Sequence, residues 1–584
     1  MASTPSSSAL VNYLIKSEGQ ELSADFEVIS ISVYKESNRI SSAIISIIDG
    51  NPAEQKFESS EKDDLIPGKE IEIKLGYDST SETVFKGNII KHNITARKDS
   101  SLLIIECKHK AANATLGNHN EVWEKKKDSD IISSLAGNYG LTVDVEATTI
   151  EHPQILQYNC CDWDFIVNRS ELNGKIVIVD DDKISIKAPD FSAEPALTLT
   201  YGVNILEFSG EIDARTQSAK VTSHSWDYQN QKIAKKEQTA SSVPEVGNLT
   251  SSSLNEAVSS DEINFFHSGM IPEDELDEWS KSILLKSKMA KIRGTVKCPG
   301  DAGIKPGSIL EIKGISQRYN GKLYVSGIQH EVIDGGWTTS IQFGLNPLLF
   351  NQSYNIHSQG SSGLLPAVHG LQIGKVSQID QDPDDQYRIQ VKLPIFGDDK
   401  KVWARMVFSD AGNNRGVYFI PEIDDEVIVG FLNNDPRFPI ILGSMFNGKS
   451  KPPLTTDAEN KQKGIITKNE LKILLDDDKK EITIQTPSDN KLILSDNASG
   501  ITISDQNGNK ITMDSGGIAL SSAKDIKLEA SAGNIEIKAG LNFNASGLAV
   551  TCEADTQFKA TGNAGAEVST SAILTLKGSM VMIN

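Results

Sequence analysis

From Ile482 onward the chain repeats one pattern: two apolar residues flank a middle residue, and a short turn of Gly, Asn, Asp or Ser follows. The clearest copies are Ile482-Thr483-Ile484, Leu492-Ile493-Leu494, Ile501-Thr502-Ile503, Ile511-Thr512-Met513, Ile518-Ala519-Leu520, Ile526-Lys527-Leu528, Ile535-Glu536-Ile537, Leu548-Ala549-Val550, Leu574-Thr575-Leu576 and Val581-Met582-Ile583. Successive copies start 7 to 10 residues apart through Ile535. Period-two alternation makes each copy a short strand with one apolar face. A short, regular repeat makes the series a β-solenoid. A strand of three or four residues cannot bury such a face against itself. Several identical chains wound about a common axis would bury it, which predicts a shaft. The side chains predicted to point at the axis are Ile484, Leu494, Ile503, Met513, Leu520, Leu528, Ile537, Val550 and Leu576, with Lys, Asp, Glu and Thr outward. Roughly twelve rungs at about 4.8 Å give a shaft on the order of 60 Å long.

Upstream, the pattern alternates strands with a few helices. Strands are predicted at 26–33, 43–48, 70–75, 84–94 and 102–107, with turns such as Pro67-Gly68. Helices are predicted at 130–139, 162–172 (ending at Gly174) and 273–289, where Leu276, Trp279, Ile283 and Leu284 share one side. Ile176–Val179 and Ile184–Ile186 form a hairpin across the acidic turn Asp180-Asp181-Asp182. The divisions expected are a hub region with inserted helices at 1–235, a Ser/Thr-rich linker or loop at 236–262, and the remainder of the hub at 263–357. A Gly/Ser linker at 358–365, a compact β unit at 366–453, a lead-in with an acidic turn at 454–481 and the shaft at 482–584 complete them.

A chain of 584 residues should hold three or more cores. The net charge is −21, and three copies would carry three times that, which opposes binding to nucleic acid or an anionic membrane. The densest basic run, Lys125-Lys126-Lys127, sits between Glu124 and Asp128 and reads as a solvated loop. The Ser-rich N-terminus lacks a basic start followed by an apolar core, so no secretory signal is expected. No apolar run approaches the length of a transmembrane helix. Five scattered cysteines, Cys107, Cys160, Cys161, Cys298 and Cys552, read as reduced thiols made in a cytosol rather than a disulfide framework.

The most specific text lies in the middle unit: Gly374-Lys375-Val376, Tyr387 to Pro394, Trp403-Ala404-Arg405, Phe419-Ile420-Pro421-Glu422, Asp425 to Phe431, and Pro439 to Ser444. It resembles the oligonucleotide/oligosaccharide-binding (OB) barrel of the VgrG proteins of type VI secretion and of phage hub-and-spike proteins. Upstream, Pro67-Gly68, Phe85-Lys86-Gly87, Asp162-Trp163-Asp164-Phe165, Arg293-Gly294 and Pro306-Gly307 are similar to that family's two-barrel hub. Asp424 departs from the pattern, since the family usually has glycine there. Ser37-Asn38-Arg39-Ile40 and Asp49 to Ala53 look closest to spikes of phage-like extracellular injection particles. The resemblance implies a mainly β homotrimer with a two-barrel hub, an OB-fold neck and an intertwined triple-stranded β-helix. It also implies a hexameric inner-tube protein and baseplate proteins as partners, with effector cargo and transient contact with a target cell envelope. A small tip protein of proline-alanine-alanine-arginine repeats would dock on Ser579, Met580, Val581, Met582, Ile583 and Asn584. Such a protein is assembled in the bacterial cytoplasm and then forms part of a secreted or extracellular tail-like particle.

Catalytic signals are weak beside this. Gly443 to Ser450 matches the phosphate-loop pattern, but that pattern works only when a helix follows, and Pro452-Pro453 argue against one. Cysteine and histidine show no metal spacing, no cofactor is expected, and Cys107 with His109 or His119 makes a poor catalytic pair. About thirty residues between barrel and shaft leave no room for an inserted wall hydrolase, and the last repeat ends one residue before Asn584, so no C-terminal effector domain is expected. The expectation is therefore no enzyme. The competing readings are a trimeric tail-fibre adhesin and a spike-associated cell-wall hydrolase.

Overall fold

The computed structural model describes residues 10–98, 100–258, 262–356, 358–397, 399–498 and 500–583. Two compact units are present: Met1–Gly370 with Phe431–Phe438, and Leu371–Gly430 with Pro439–Asn584.

The first unit is built on a thirteen-stranded sheet. Its strands follow the alternation in the sequence. In Val28–Glu36, Ile31 and Val33 are fully buried while Ser30 and Ser32, which alternate with them, are not. Similar alternation in Ser42–Ile48, Glu70–Tyr77, Glu82–Thr95 and Leu102–Lys108 fills one core with Ile45, Ile47, Ile71, Ile73, Leu103 and Ile105. A second core holds Leu199, Val296, Leu310, Ile312, Val325, Ile341 and Phe343. Where the resemblance implied a two-barrel hub, the two cores share one continuous sheet, and the reason is the long strand Gly321–Ile333. Its first half pairs with Ile309–Lys313 and its second half with Val28–Glu36. Val325 and Ile328 feed the second core, while Val332 feeds the first.

Two smaller α/β layers decorate this sheet. Helices Asp128–Gly137 and Asp162–Leu172 pack on the sheet of Thr142–Val145, Ile176–Asp180 and Lys183–Lys187. Helix Glu273–Met289 places Ile283, Leu284 and Trp279 against the sheet of Lys220–Asp227, Lys232–Gln238 and Glu262–His267. The stretch expected as a linker, 236–262, is structured over part of its length. It carries the helix Ser251–Val258, in which Ser251 and Asn255 are buried. The Thr250 hydroxyl caps it, accepting from the Ser253 N–H at 3.1 Å.

In the second unit, Gln372–Gln378, Ile389–Lys392, Lys401–Met406, Pro439–Ser444 and Glu426–Phe431 close into a five-stranded barrel in that spatial order. Lys401–Met406 runs parallel to Pro439–Ser444, whereas Gln372–Gln378 is antiparallel to both Ile389–Lys392 and Glu426–Phe431, and Ile389–Lys392 is antiparallel to Lys401–Met406. The five-stranded barrel is the architecture the resemblance implied. Val376, Ile389, Val391, Ala404, Val427, Val429 and Ile441 fill it. Asp424, where the family usually has glycine, sits at φ +76°, a conformation glycine reaches without steric cost. Its carboxylate pairs with Lys375 at 2.7 Å.

A candidate trimerisation face

Beyond the barrel the chain folds into a seven-stranded antiparallel meander: Gln462–Ile466, Lys472–Asp476, Glu481–Gln485, Lys491–Ser495, Gly500–Ser504, Lys510–Asp514 and Gly517–Ser521. The sheet thus begins earlier than the first sequence repeat, and Asp476-Asp477-Asp478 turns within it rather than leading into it. Its turns are polar and self-bonded. The Asp505 carboxylate accepts from Asn507 N–H and Asn509 N–H, both at 2.9 Å, and Gly508 supplies φ +87°.

Register places the apolar pairs in two ladders on one face. Leu475, Ile482, Leu494, Ile501, Met513 and Ile518 lie opposite one another in succession. Ile465, Ile473, Ile484, Leu492, Ile503, Ile511 and Leu520 form the second ladder. The middle residues Leu474, Thr483, Ile493, Thr502, Thr512 and Ala519 take the other face. Ile484, Leu494, Ile503, Met513 and Leu520 therefore share a face, and each is exposed in the single chain, Ile484 at 45% and Ile503 at 43%. Fully burying a side chain of this kind contributes about 1.5–3 kcal/mol. Covering the exposed share of some dozen of them is worth on the order of 10 kcal/mol per chain. Monomeric proteins rarely leave so long an apolar surface open.

The remaining repeats behave differently. Leu528, Ile537, Val550 and Leu576 lie in no strand, are exposed, and follow the last strand of the sheet. So do Ser579, Met580, Val581, Met582 and Ile583, while Asn584 lies outside the described residues.

The weak catalytic signals find no support among the described residues. After Gly443 the chain makes a turn in which the Asn447 side-chain oxygen accepts from Lys449 N–H at 2.9 Å and Ser450 N–H at 2.7 Å. No helix follows it to present a phosphate site. Cys107 is buried in the first core, and burial pushes its thiol up to about 12. Cys161 and Cys298 are likewise pushed to about 12, so none of these is a ready nucleophile. His109 caps the short helical turn Lys110–Thr115, accepting from Ala111 N–H at 3.0 Å. His119 is bound to Asp162 at 2.7 Å, and Asp162 also accepts from the Tyr139 hydroxyl and from Gln157, both at 2.7 Å. The structure therefore does not bring Cys107 and His119 together as a pair. No cluster of three metal-ligating side chains is found among the described residues.

Two charged networks escaped sequence reasoning. Asp128, buried at the start of its helix, accepts from Arg169 at 2.6 and 2.9 Å, from Asn173 at 2.9 Å, and contacts His152 at 3.0 Å. Burial opposes its charge, but these donors outweigh burial and hold the carboxyl well below its usual range. The acidic turn Asp180-Asp181-Asp182 is an ion-pair junction: Lys35, which is buried, and the exposed Lys305 hold Asp180, and Lys86 and Lys110 hold Asp182. Partners separated by 24 to 145 residues leave no local signal.

A family model described as the Alg8 N-terminal domain matches residues 7–334, more than half of the chain. The chain belongs to the Alg8 N-terminal domain family. Behind that domain, residues 372–446 match the type VI secretion system/phage-baseplate injector OB domain, and 481–584 match the phage baseplate V C-terminal trimerisation domain. The expected kinship with VgrG and phage hub-and-spike proteins follows from these matches and from curated relatives. The type VI secretion system spike protein VgrG1a of Pseudomonas aeruginosa is 27% identical over 206 residues, 32% of this chain and 31% of that protein. The actin cross-linking toxin VgrG1 of Vibrio cholerae is 30% identical over 147 residues, 24% of this chain and 13% of that protein. The matches thus span less than a third of the length of these relatives. Among solved structures, the 43 kDa tail protein of prophage MuSo2 from Shewanella oneidensis aligns at TM-score 0.44 and 12% identity, covering 58% of this chain and 98% of that one.

Proposed function

We propose that three copies of this chain assemble about a common axis as the hub and spike of a contractile injection machine. One observation carries the reading: the open, two-ladder apolar face of a meander whose strands from Glu481 onward lie in a region matching a trimerisation domain. Three such faces turned inward form a prism whose interior holds Ile484, Leu494, Ile503, Met513 and Leu520. Farther along, Leu528, Ile537, Val550 and Leu576 pack at the axis once neighbouring chains supply strand partners. The barrel forms the neck, and the Alg8-type domain meets the hexameric tube and the baseplate. The segment Ser579 to Ile583, with Asn584 beyond it, offers open strand edges to a tip protein of the proline-alanine-alanine-arginine-repeat type. Effector cargo rides on that tip protein; the spike itself moves with the tube when the sheath contracts and crosses the target envelope.

The chain is proposed to act mechanically and to catalyse nothing, in line with relatives named as spike proteins. The word toxin in one relative's name belongs to a protein of which the match covers 13%. Kinship with extracellular phage-like particles rests on the Ser37–Ile40 and Asp49–Ala53 segments. Sheathed particles sedimented from culture medium and carrying this chain would support it, and confinement of the chain to cells would refute it.

Light scattering on the purified full-length chain tests the assembly. Three chains per particle, persisting on mild heating, is the expected result. A folded monomer at micromolar concentration would refute the spike and leave a single-chain solenoid. Assays of peptidoglycan degradation and actin cross-linking are expected to show no turnover.

A further inference from the structure

The three-stranded sheet of Lys220–Asp227, Lys232–Gln238 and Glu262–His267 ends in two unlike edges. A free edge is a template for pairing with another chain, and lysines, prolines and bulges are the usual protection. The strand Lys232–Gln238 follows that rule with Lys232, Lys235 and Lys236. Glu262–His267 does not. Its sequence, Glu-Ile-Asn-Phe-Phe-His, has no lysine or proline, and it pairs in parallel with Lys220–Ser225 without a bulge. Phe266 is 74% exposed, and Asn264 is exposed on the same face. On the side away from Lys220–Asp227, its backbone groups have no hydrogen-bond partner among the described residues.

A cavity of about 190 Å3 lies against this strand on the helix side. Ile263 and Phe265 wall it from the sheet, Ile283 and Ser287 from helix Glu273–Met289, and Pro347 and Leu349 from the segment that follows the main sheet. No residue of the other two strands lines it, so it sits at the outer flank of the sheet. Phe265 is held in place by Trp279, with ring centroids 5.4 Å apart. Lys286, the charged side chain on the lining, is paired with Glu171, so the cavity calls for an apolar occupant. Its volume falls below the roughly 300 Å3 at which small-molecule sites begin, and suits a single large side chain.

We propose that an extended segment of another protein adds to Glu262–His267 as a fourth strand and inserts one large apolar side chain into this cavity. In strand addition the backbone ladder supplies affinity and a pocket for alternate side chains supplies specificity, and both features are present here. Side chains alternate along the added strand, so the neighbours of the anchor lie beside Asn264 and Phe266. A second copy pairing through the same strand does not fit, because its Ile263 and Phe265 already wall a cavity of their own. Fluorescence anisotropy on the full-length protein tests this with the peptide Lys-Val-Thr-Phe-Thr-Val-Lys, labelled with fluorescein at its N-terminus and amidated at its C-terminus. Saturable binding is expected, weakened about tenfold when the peptide's Phe is replaced by Ala. N-methylation of the three central residues, which removes backbone hydrogen bonds on both edges and keeps every side chain, is expected to weaken it about tenfold as well. Hydrogen exchange on the complex is expected to slow at Glu262–His267. No saturable binding at millimolar peptide, or undiminished affinity of the alanine or the N-methylated peptide, would overturn the proposal. So would slow exchange at all six amides before peptide is added, since a neighbouring copy would then hold the edge. Ile263→Lys, at a half-buried edge position from which the ammonium reaches solvent, is expected to weaken the peptide at least about tenfold with cooperative melting retained. Unchanged affinity in that folded variant would also overturn the proposal; if the variant does not fold, the three peptides on the native protein decide.

Discussion

Asp424 holds a left-handed backbone conformation at the turn before Glu426–Phe431. Its departure from the family's usual glycine was visible in the sequence, and φ +76° supplies the reason glycine is favoured there. A left-handed conformation costs an ordinary L-residue about 1–2 kcal/mol. The exposed Lys375 pair, at 2.7 Å, returns little of that. Asp424→Gly is therefore expected to stabilise the barrel by about 1 kcal/mol, read as a higher denaturant midpoint at unchanged slope. A lower midpoint would show that the ion pair outweighs the strain. His330 is a residue no sequence pattern marked. It is buried in the first unit, contacts Thr339 Oγ1 at 3.0 Å, and burial, with nearby Lys35 in the same direction, pushes its imidazole down to about 3. An unfolded chain would bind that proton near pH 6.5 and the folded one only near 3. The unfolded state thus holds more protons across that window, and stability falls as pH drops from about 6.5 toward 3. His330→Gln is expected to flatten this part of the stability–pH curve; an unaltered slope would place the acid sensitivity elsewhere.

At the scale of elements, local pattern sufficed wherever one face of a strand or helix was buried by its own unit. The helix 162–172 and the hairpin at 176–187 were legible from periodicity and the Gly174 stop. The helix Ser251–Val258 was hidden by its serines, although Thr250 as a cap and Leu254 with Val258 one turn apart were the signal available. The Asp128–Arg169 network was illegible because its partners meet only after the chain folds. Removing one member of such a buried pair leaves an uncompensated charge. Asp128→Asn is expected to cost about 3 kcal/mol, measured by chemical denaturation of the first unit's transition. A loss below about 1 kcal/mol would show that Glu275, 3.4 Å from Arg169, takes over. The meander obeys the same reasoning in reverse. Its apolar face was legible, but what covers it was not, since nothing within the described sheet does. Ile503→Asp would set three like charges around one rung of the proposed prism, and buried unpaired charge is costly. Loss of three-chain particles with a retained barrel is expected by light scattering and circular dichroism. A normal trimer would place Ile503 outside the interior.

At the scale of the whole molecule, the contrast between 462–521 and 522–583 decides what kind of assembly the shaft must be. The first segment pairs its strands within one chain, so its ladder of backbone hydrogen bonds exists before any partner arrives. The second carries the same apolar alternation but no strand in the single chain. Its backbone N–H groups find no strand partner within the described chain, and in the proposed assembly intertwined winding with another copy supplies one. The two segments should therefore respond differently to dissociation. In the assembled particle, backbone amides of 526–583 are expected to be protected from hydrogen exchange as strongly as those of the meander. In protein dissociated by dilute denaturant, the amides of 472–514 should retain protection, with Ile484 and Ile503 among them, while those of 526–583 exchange freely. Simultaneous loss in both segments would mean that the meander, too, depends on its neighbours and that the whole shaft forms only at the trimer stage. Protection of 526–583 in isolated chains would mean instead that this segment folds on itself, and the intertwined shaft would fail with it.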